Sequence, residues 1–200
     1  ELFGDDIKDI FPILTPGGSD SACFDNMLEL LVRSGRSMPH AMMMMIPEAF
    51  GQKYHISTDK RGFYEYHSSI MEPWDGPAAM VFTDGKLIGG TLDRNGLRPS
   101  RYLVTNDGLV IIASEAGVVE FPPEKIRVKG RLRPGHMFLI DTVEGRIITD
   151  NEIKSKIARQ KPYRRWLEEN RIELRGLFDS PKLVASDPKT IAHRMRVFGY

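Results

Sequence analysis

Two Asp-Gly pairs, Asp84-Gly85 and Asp107-Gly108 (the second preceded by Asn106), set the tightest limit on how this chain folds. Each lies between apolar runs that include β-branched residues: Ala78–Phe82 and Leu87-Ile88 around the first, Tyr102–Val104 and Leu109–Ile112 around the second. Asn, Asp and Gly tolerate the positive φ of a two-residue type I′ turn, so both places predict β-hairpins closed by such turns. Between the hairpins, Leu92-Asp93-Arg94-Asn95-Gly96-Leu97-Arg98-Pro99 carries too many charges for a strand interior, and Gly96 and Pro99 bend it into a loop. Asp93, Arg94 and Arg98 predict an internal ion-pair network that holds this loop against the sheet.

The pattern continues downstream. Gly117–Phe121, Arg127–Leu132, Met137–Asp141 and Ile147–Thr149 extend it to about seven or eight short antiparallel strands over residues 78–149. Upstream, the acidic stretch Glu1–Pro16 predicts a short helix running into a loop. A second helix follows Ser19-Asp20-Ser21, with Phe24, Met27, Leu28, Leu31 and Val32 on one stripe and Gly35 as its C′ residue. Phe63–Met71 reads as a helix that stops before Pro73. His40–Ile46, between Pro39 and Pro47, is too short for an independent helix, and its four methionines are adaptable core filler. Glu152–Gln160 and Arg164–Leu174 are helical, Phe178–Val184 is a connection, and Thr190–Phe198 begins another helix. Helices flanking a strand meander predict an α+β fold built in layers.

Charge and cysteine use exclude several function classes. A net charge of +1 gives no reason to expect nucleic acid or an anionic membrane as partner. No apolar run approaches the ~20 residues that span a bilayer. The basic concentration at Lys154, Lys156, Arg159, Lys161, Arg164, Arg165, Arg171 and Arg175 is interleaved with Glu152, Glu168, Glu169 and Glu173, which predicts a solvated or domain-interface face. A single cysteine rules out an internal disulfide framework. The chain starts Glu1-Leu2-Phe3-Gly4, without an initiator Met or signal pattern, as expected of a piece of something longer.

Chemistry concentrates at Gly17-Gly18-Ser19-Asp20-Ser21, where a loop delivers a carboxylate beside a helix N-terminus. Two readings are open from the residues alone. Asp20 is an N-cap, worth about 1 kcal/mol, or its carboxylate accepts hydrogen bonds from a ligand's ammonium while the glycines let that ligand approach the backbone. Cys23, in the first turn, has no neighbour in the pattern that would serve as base and orienter, and is read as a packing residue. The five histidines (40, 55, 67, 136 and 193) show no paired ligand spacing, so no metal site is expected. The sequence contains no G-x-G-x-x-G, P-loop or G-x-S-x-G.

Leu92–Pro99 resembles the D-R-x-G-x-R-P stretch of class II glutamine amidotransferases, and Ala113-Ser114-Glu115 resembles the A-S-E strand end that follows it. Gly35–Pro47, Tyr64–Ser69 and Met71–Ala79 are similar to segments of the glutamate synthase branch of that family, in the same order. The resemblance implies the C-terminal part of an αββα N-terminal-nucleophile (Ntn) hydrolase sandwich over residues 1–168. It implies a linker and the start of a central domain over residues 169–200. It implies that Asp20 binds the α-amino group of glutamine, with Gly18 and Ser19 contributing through backbone groups, and that Asp93, Arg94, Gly96 and Arg98 form a supporting loop near the site.

In that family a thiolate at the mature N-terminus attacks the glutamine carboxamide, and the released ammonia reaches 2-oxoglutarate for reductive glutamate synthesis. Neither that cysteine nor the family's Asn-Gly oxyanion pair is found here, so no catalytic residue is assigned and this chain alone is expected to be inactive. FMN and an iron–sulfur cluster are expected in other parts of the parent protein. The resemblance implies glutamine, the central and FMN domains, and a small reductase subunit or ferredoxin as partners, in the cytoplasm or in a plastid. Two other readings stay open: a different class II amidotransferase, and a non-catalytic amino-acid-binding module.

Overall fold

The computed structural model describes residues 4–172, 189 and 192. The chain divides into two compact units, Glu1–Glu168 and Glu169–Tyr200. Among the described residues, seven antiparallel strands build two sheets. The first runs in the order β1 (Ala79–Thr83), β2 (Leu87–Leu92), β6 (Met137–Asp141) and β7 (Arg146–Ile148). The second runs in the order β4 (Val110–Ala113), β3 (Arg101–Thr105) and β5 (Ile126–Arg131).

Both Asp-Gly hairpins form, β1–β2 and β3–β4, but neither turn is of type I′. That turn needs positive φ at two successive residues, whereas only Gly85 (+87°) and Gly108 (+89°) have it here. Asp84 instead closes the first turn with its side chain, Oδ1 accepting from the Lys86 and Leu87 amides at 3.0 and 2.7 Å. Gly117–Phe121, expected as a strand, runs as an irregular loop with Val118 and Val119 exposed. β3 is flanked by β4 and β5, and the outer edges of those two strands take no further partner among the described residues.

The alternation along the strands sorts side chains into layers. Phe82, Met137, Leu139 and Ile148 of the first sheet share one core with the helices. On the opposite face, Phe138 stacks at 4.5 Å on Tyr102 of the second sheet. β2 carries glycine at two successive positions, and the first of them lets the helical side pack closely. A Cβ at Gly89 would fall 2.3 Å from Phe82 Cζ on the helical side, while Gly90 faces Ile112 and Leu132 on the other. The order helices, sheet, sheet makes the fold α+β with antiparallel strands.

The helices are α1 (Asp20–Arg33), α2 (Met38–Met45), α3 (Thr58–Ser68), α4 (Asp150–Ala158) and α5 (Tyr163–Asn170), preceded by a 3₁₀ turn over Gly4–Ile10. α1 ends as expected: Gly35 has φ +89°, and the Gly35 and Arg36 amides bond back to the Val32 and Leu31 carbonyls. α2 corrects the sequence reading. Isolated, eight residues would not hold a helix, but every residue from Pro39 to Met45 is buried, so packing supplies what propagation does not. α3 begins five residues earlier than expected because Ser57 caps it, its Oγ accepting from the Lys60 amide at 3.3 Å. The expected connection Phe178–Val184 lies outside the described residues, as does the helix Thr190–Phe198 apart from Ala192.

Candidate functional site

The Asp20 turn is preformed by local bonds. Gly18 N–H donates to Thr15 O at 3.0 Å, with Pro16 and Gly17 (φ +72°) between them, the pattern of a type II turn. Thr15 N–H and Oγ1 both reach Asn26 Oδ1, at 3.0 and 3.1 Å, which ties the turn to the second turn of α1. A Cβ at Gly18 would lie 3.0 Å from Thr15 O, so the turn leaves little room for a side chain there. Ser19 is the N-cap, its Oγ accepting from the Ala22 amide at 3.3 Å and lying 3.0 Å from Ser21 Oγ.

That division of labour frees Asp20. It is the first helical residue, exposed, and its carboxylate makes no hydrogen bond or ion pair among the described residues. An ionised carboxylate is favoured at a helix N-terminus by the macrodipole, and with capping left to Ser19 it can accept charge-assisted bonds from an ammonium group. Cys23 bonds the Ser19 carbonyl through its amide at 2.9 Å, and its thiol, half-buried, has no hydrogen-bond partner among the described residues.

A strap from residue 74 to residue 78 joins α1 to the 92–99 loop. Buried Phe24 meets Trp74 edge-on at 5.6 Å, and the Trp74 amide donates to Met45 O at 2.7 Å. Four residues on, the Ala78 amide donates to Asp93 Oδ1 at 3.0 Å. The expected ion-pair network among Asp93, Arg94 and Arg98 does not form. Asp93 is buried, and its Oδ2 takes the Asn95 and Gly96 amides at 2.9 and 3.2 Å, so backbone donors satisfy the carboxylate without any arginine. Arg94 instead pairs with Asp75 at 3.6 Å on the surface, and the Arg98 side chain has no partner among the described residues.

The loop is backed by the turn at Pro134-Gly135. Gly96 (φ +60°) sits so close that an added Cβ would be 2.6 Å from Pro134 Cγ, and the Gly135 amide donates to Asp93 O at 2.8 Å. Beneath that turn lies Lys154 of α4, expected on a solvated or domain-interface face and only 2% exposed. Its Nζ donates to Gly135 O at 2.5 Å and to Asp150 Oδ1 at 2.7 Å, with Glu48 Oε1 at 3.7 Å. Tyr64 donates its hydroxyl to Glu48 at 3.1 Å, and burial together with that carboxylate pushes the phenol well above its ordinary pKa. A cation inside the fold is tolerable only because carboxylates and a carbonyl surround it.

Sequence reasoning missed one further constellation. His40 of α2 and His67 of α3 are both buried, with their Nε2 atoms 3.2 Å apart. His67 Nδ1 lies 2.8 Å from Phe63 O, which can only accept, so the proton sits on Nδ1. Nε2 of His67 is then an acceptor, and the His40 Nε2–H donates to it. Burial, reinforced by the cations Arg36 and Lys161, lowers both rings to about 4, so the pair is neutral at pH 7. With the two histidines 27 positions apart, no spacing rule would have found it. Among the described residues, no group of three or more His, Cys, Asp or Glu side chains is placed to hold a metal ion, and no helix is long and apolar enough to cross a membrane.

The antiparallel two-sheet fold with its helical layer, and the glycine turn that presents Asp20, meet their class in the family comparison. The profile of glutamine amidotransferases class-II matches residues 1–166, and the chain belongs to that family, whose fold is that of the Ntn hydrolases. Within it, the chain is 50% identical over its whole length to the glutamate synthase [NADPH] large chain of Bacillus subtilis. It is 49% identical over 89% of its length to the glutamate synthase [NADH] of Schizosaccharomyces pombe, and 42% identical over its whole length to the ferredoxin-dependent glutamate synthase of Pyropia yezoensis. It spans only 13%, 8% and 13% of those three proteins.

Proposed function

We propose that this chain is part of the glutamine amidotransferase region of a glutamate synthase, and that Asp20 grips the α-amino group of glutamine there. The observation that carries the reading is the exposed, unpartnered Asp20 carboxylate, held on a turn that Thr15, Asn26 and Ser19 preform. Gly18 and Ser19 add backbone groups on the same turn, and the loop at Asp93, Arg94, Gly96 and Arg98 supports the site. In this reading residues 1–168 are the C-terminal part of the amidotransferase region, and residues 169–200 are the linker and first part of a central domain.

The reaction is hydrolysis of the glutamine carboxamide by a cysteine thiolate outside these 200 residues. Glutamate and ammonia result, and the ammonia passes to 2-oxoglutarate for reductive glutamate synthesis. Asp20 contributes orientation: an ammonium fixed at one end of glutamine leaves the carboxamide at a set distance for attack. FMN and the iron–sulfur cluster belong to other parts of the longer protein. One cysteine does not make a cluster's thiolate set. Glutamine, the central and FMN domains, and a reductase subunit or ferredoxin are the partners. The compartment is the cytoplasm, or a plastid for a protein akin to the chloroplastic relatives from Arabidopsis thaliana and Spinacia oleracea.

Asp20→Ala in the full-length protein tests the assignment. Losing one side of a charge-assisted pair costs about 2–4 kcal/mol, so kcat/KM for glutamine should fall roughly 30-fold or more while ammonia-dependent synthesis is kept. Unchanged glutamine kinetics would remove Asp20 from the pocket. The 200-residue chain by itself should not turn over glutamine, and turnover abolished by Cys23→Ser would overturn that expectation.

A further inference from the structure

A cleft of about 710 Å³ opens between the approach to β3 and the end of β5, bordered in part by Gly96 and Arg98 of the 92–99 loop. The two segments run antiparallel. Arg101 stands opposite Arg131 and Tyr102 opposite Gly130, and the Leu132 amide donates to Ser100 O at 2.9 Å one step further on. Arg98 and Arg133 line the same cleft, so four arginines border it.

Two of them form a like-charge pair directly across the ladder, which is destabilising by itself. The row offers no relief, because the residue beside Arg101 on the third strand is Ala113. Among the described residues, none of the four guanidinium groups has an ion pair or hydrogen bond, whereas Arg94, Arg146 and Arg164 each reach a carboxylate. The nearest sequence acid, Asp93, is consumed by backbone amides. Glu115 and Glu120 line the adjoining hollow over the second sheet and pair with none of the four. Tyr102 and Gly130 also line the cleft, the Tyr102 ring lying over Gly130 where any side chain would collide with it. The whole chain has a net charge of only +1, so this is a local concentration of positive charge.

We propose that the cleft binds a small molecule carrying two or more negative charges on carboxylate or phosphoryl groups, with Arg101 and Arg131 as its principal ligands. Guanidinium forks match such oxygens in bidentate fashion, which an ammonium does not. The bound anion would also neutralise the facing pair, so ligand and fold stabilise one another.

Pyrophosphate and citrate serve as probes, titrated calorimetrically into the full-length protein at about 50 and about 200 mM KCl. At least one should bind and raise Tm, and binding should weaken at the higher salt. Arg101→Gln/Arg131→Gln should weaken it at least tenfold without lowering the Tm of the unliganded protein, since it removes a repulsion. Arg101→Lys/Arg131→Lys, which keeps charge and loses the forks, should fall between. A preference for citrate marks a carboxylate site, and one for pyrophosphate a phosphoryl site. Absence of binding by both probes, or equal binding by the double Gln variant, overturns the proposal. Should the unaltered protein bind neither probe while the double Gln variant increases protease cleavage between domains, the arginines belong instead to a contact with an acidic protein surface.

Discussion

Replacing Lys154 with methionine keeps the length of the side chain and removes its charge from the interior. Stripping one partner from a buried ion pair costs about 3–5 kcal/mol, chiefly because the other charge is left behind. Here the lower end applies. Glu48 keeps Lys60 at 3.5 Å and the Tyr64 hydroxyl at 3.1 Å, and Asp150 keeps the Met137 amide at 2.7 Å, with its side chain 13% exposed. The expected loss is about 3 kcal/mol, or ~6–12 °C in Tm for a domain of this size. Urea unfolding followed by fluorescence of the two tryptophans measures it, with an unchanged m-value showing that the unfolded state is not at issue. Asp150→Asn supplies the second arm of a cycle, because the amide oxygen still accepts from Met137 while the orphaned charge is gone. Lys154→Met should then cost about 1.5 kcal/mol less in that background. Additive effects, within ~0.5 kcal/mol, would refute the view that this pair is what makes the buried lysine tolerable.

The histidine pair makes stability depend on pH. Both rings titrate near 4 in the fold and near 6.5 when unfolded, so between those values the unfolded chain binds more protons and stability rises with pH. The contribution is whole above about pH 6.5 and lost as pH falls toward 4, on the order of 3 kcal/mol per ring; His67→Gln should remove about half of that slope, and an unaltered pH profile would contradict it. Gly96→Ala meets both positive φ and the Pro134 ring, for about 2–4 kcal/mol, whereas Gly108→Ala, with nothing within 4 Å, meets only the backbone cost of ~1–2 kcal/mol. Equal losses in chemical denaturation would show that the contact at Pro134 yields without strain.

Local patterns carried most of the architecture. Asp-Gly pairs between β-branched runs mark hairpins wherever they occur, and the stripe from Phe24 to Val32 with Gly35 behind it marks a helix and its end. What stayed hidden was set by residues distant in sequence. α2 is a helix because everything around Pro39–Met45 covers it, and no window of that length announces its surroundings. Lys154 looked like one more surface cation in a basic run until Glu48 and Gly135, 106 and 19 residues away in number, closed over it. The site divided the same way. Ser19-Asp20-Ser21 shows a helix start, but which of the three caps is set by the fold, where Ser19 does so and Asp20 is left over. The turn at Asp84 is legible in residue type but not in form, since its side chain takes the place of a second left-handed residue.

The adjacent glycines of β2 carry a consequence for how this fold tolerates change. Neighbouring positions on a strand look in opposite directions, so Gly89 and Gly90 strip the middle of the first sheet on both sides at once. Phe82 and Leu139 reach into the gap from one direction, Ile112 and Leu132 from the other, and the strand becomes a membrane-thin partition between two otherwise separate cores. A methyl group gained at Gly89 would press on Phe82 and Leu139, whereas at Gly90 it would meet only ordinary contacts with Ile112 and Leu132, yet the backbone between is shared. Drift in the helical core and drift in the second sheet are therefore answerable to the same six-residue strand, which makes it the place where the two halves must change together.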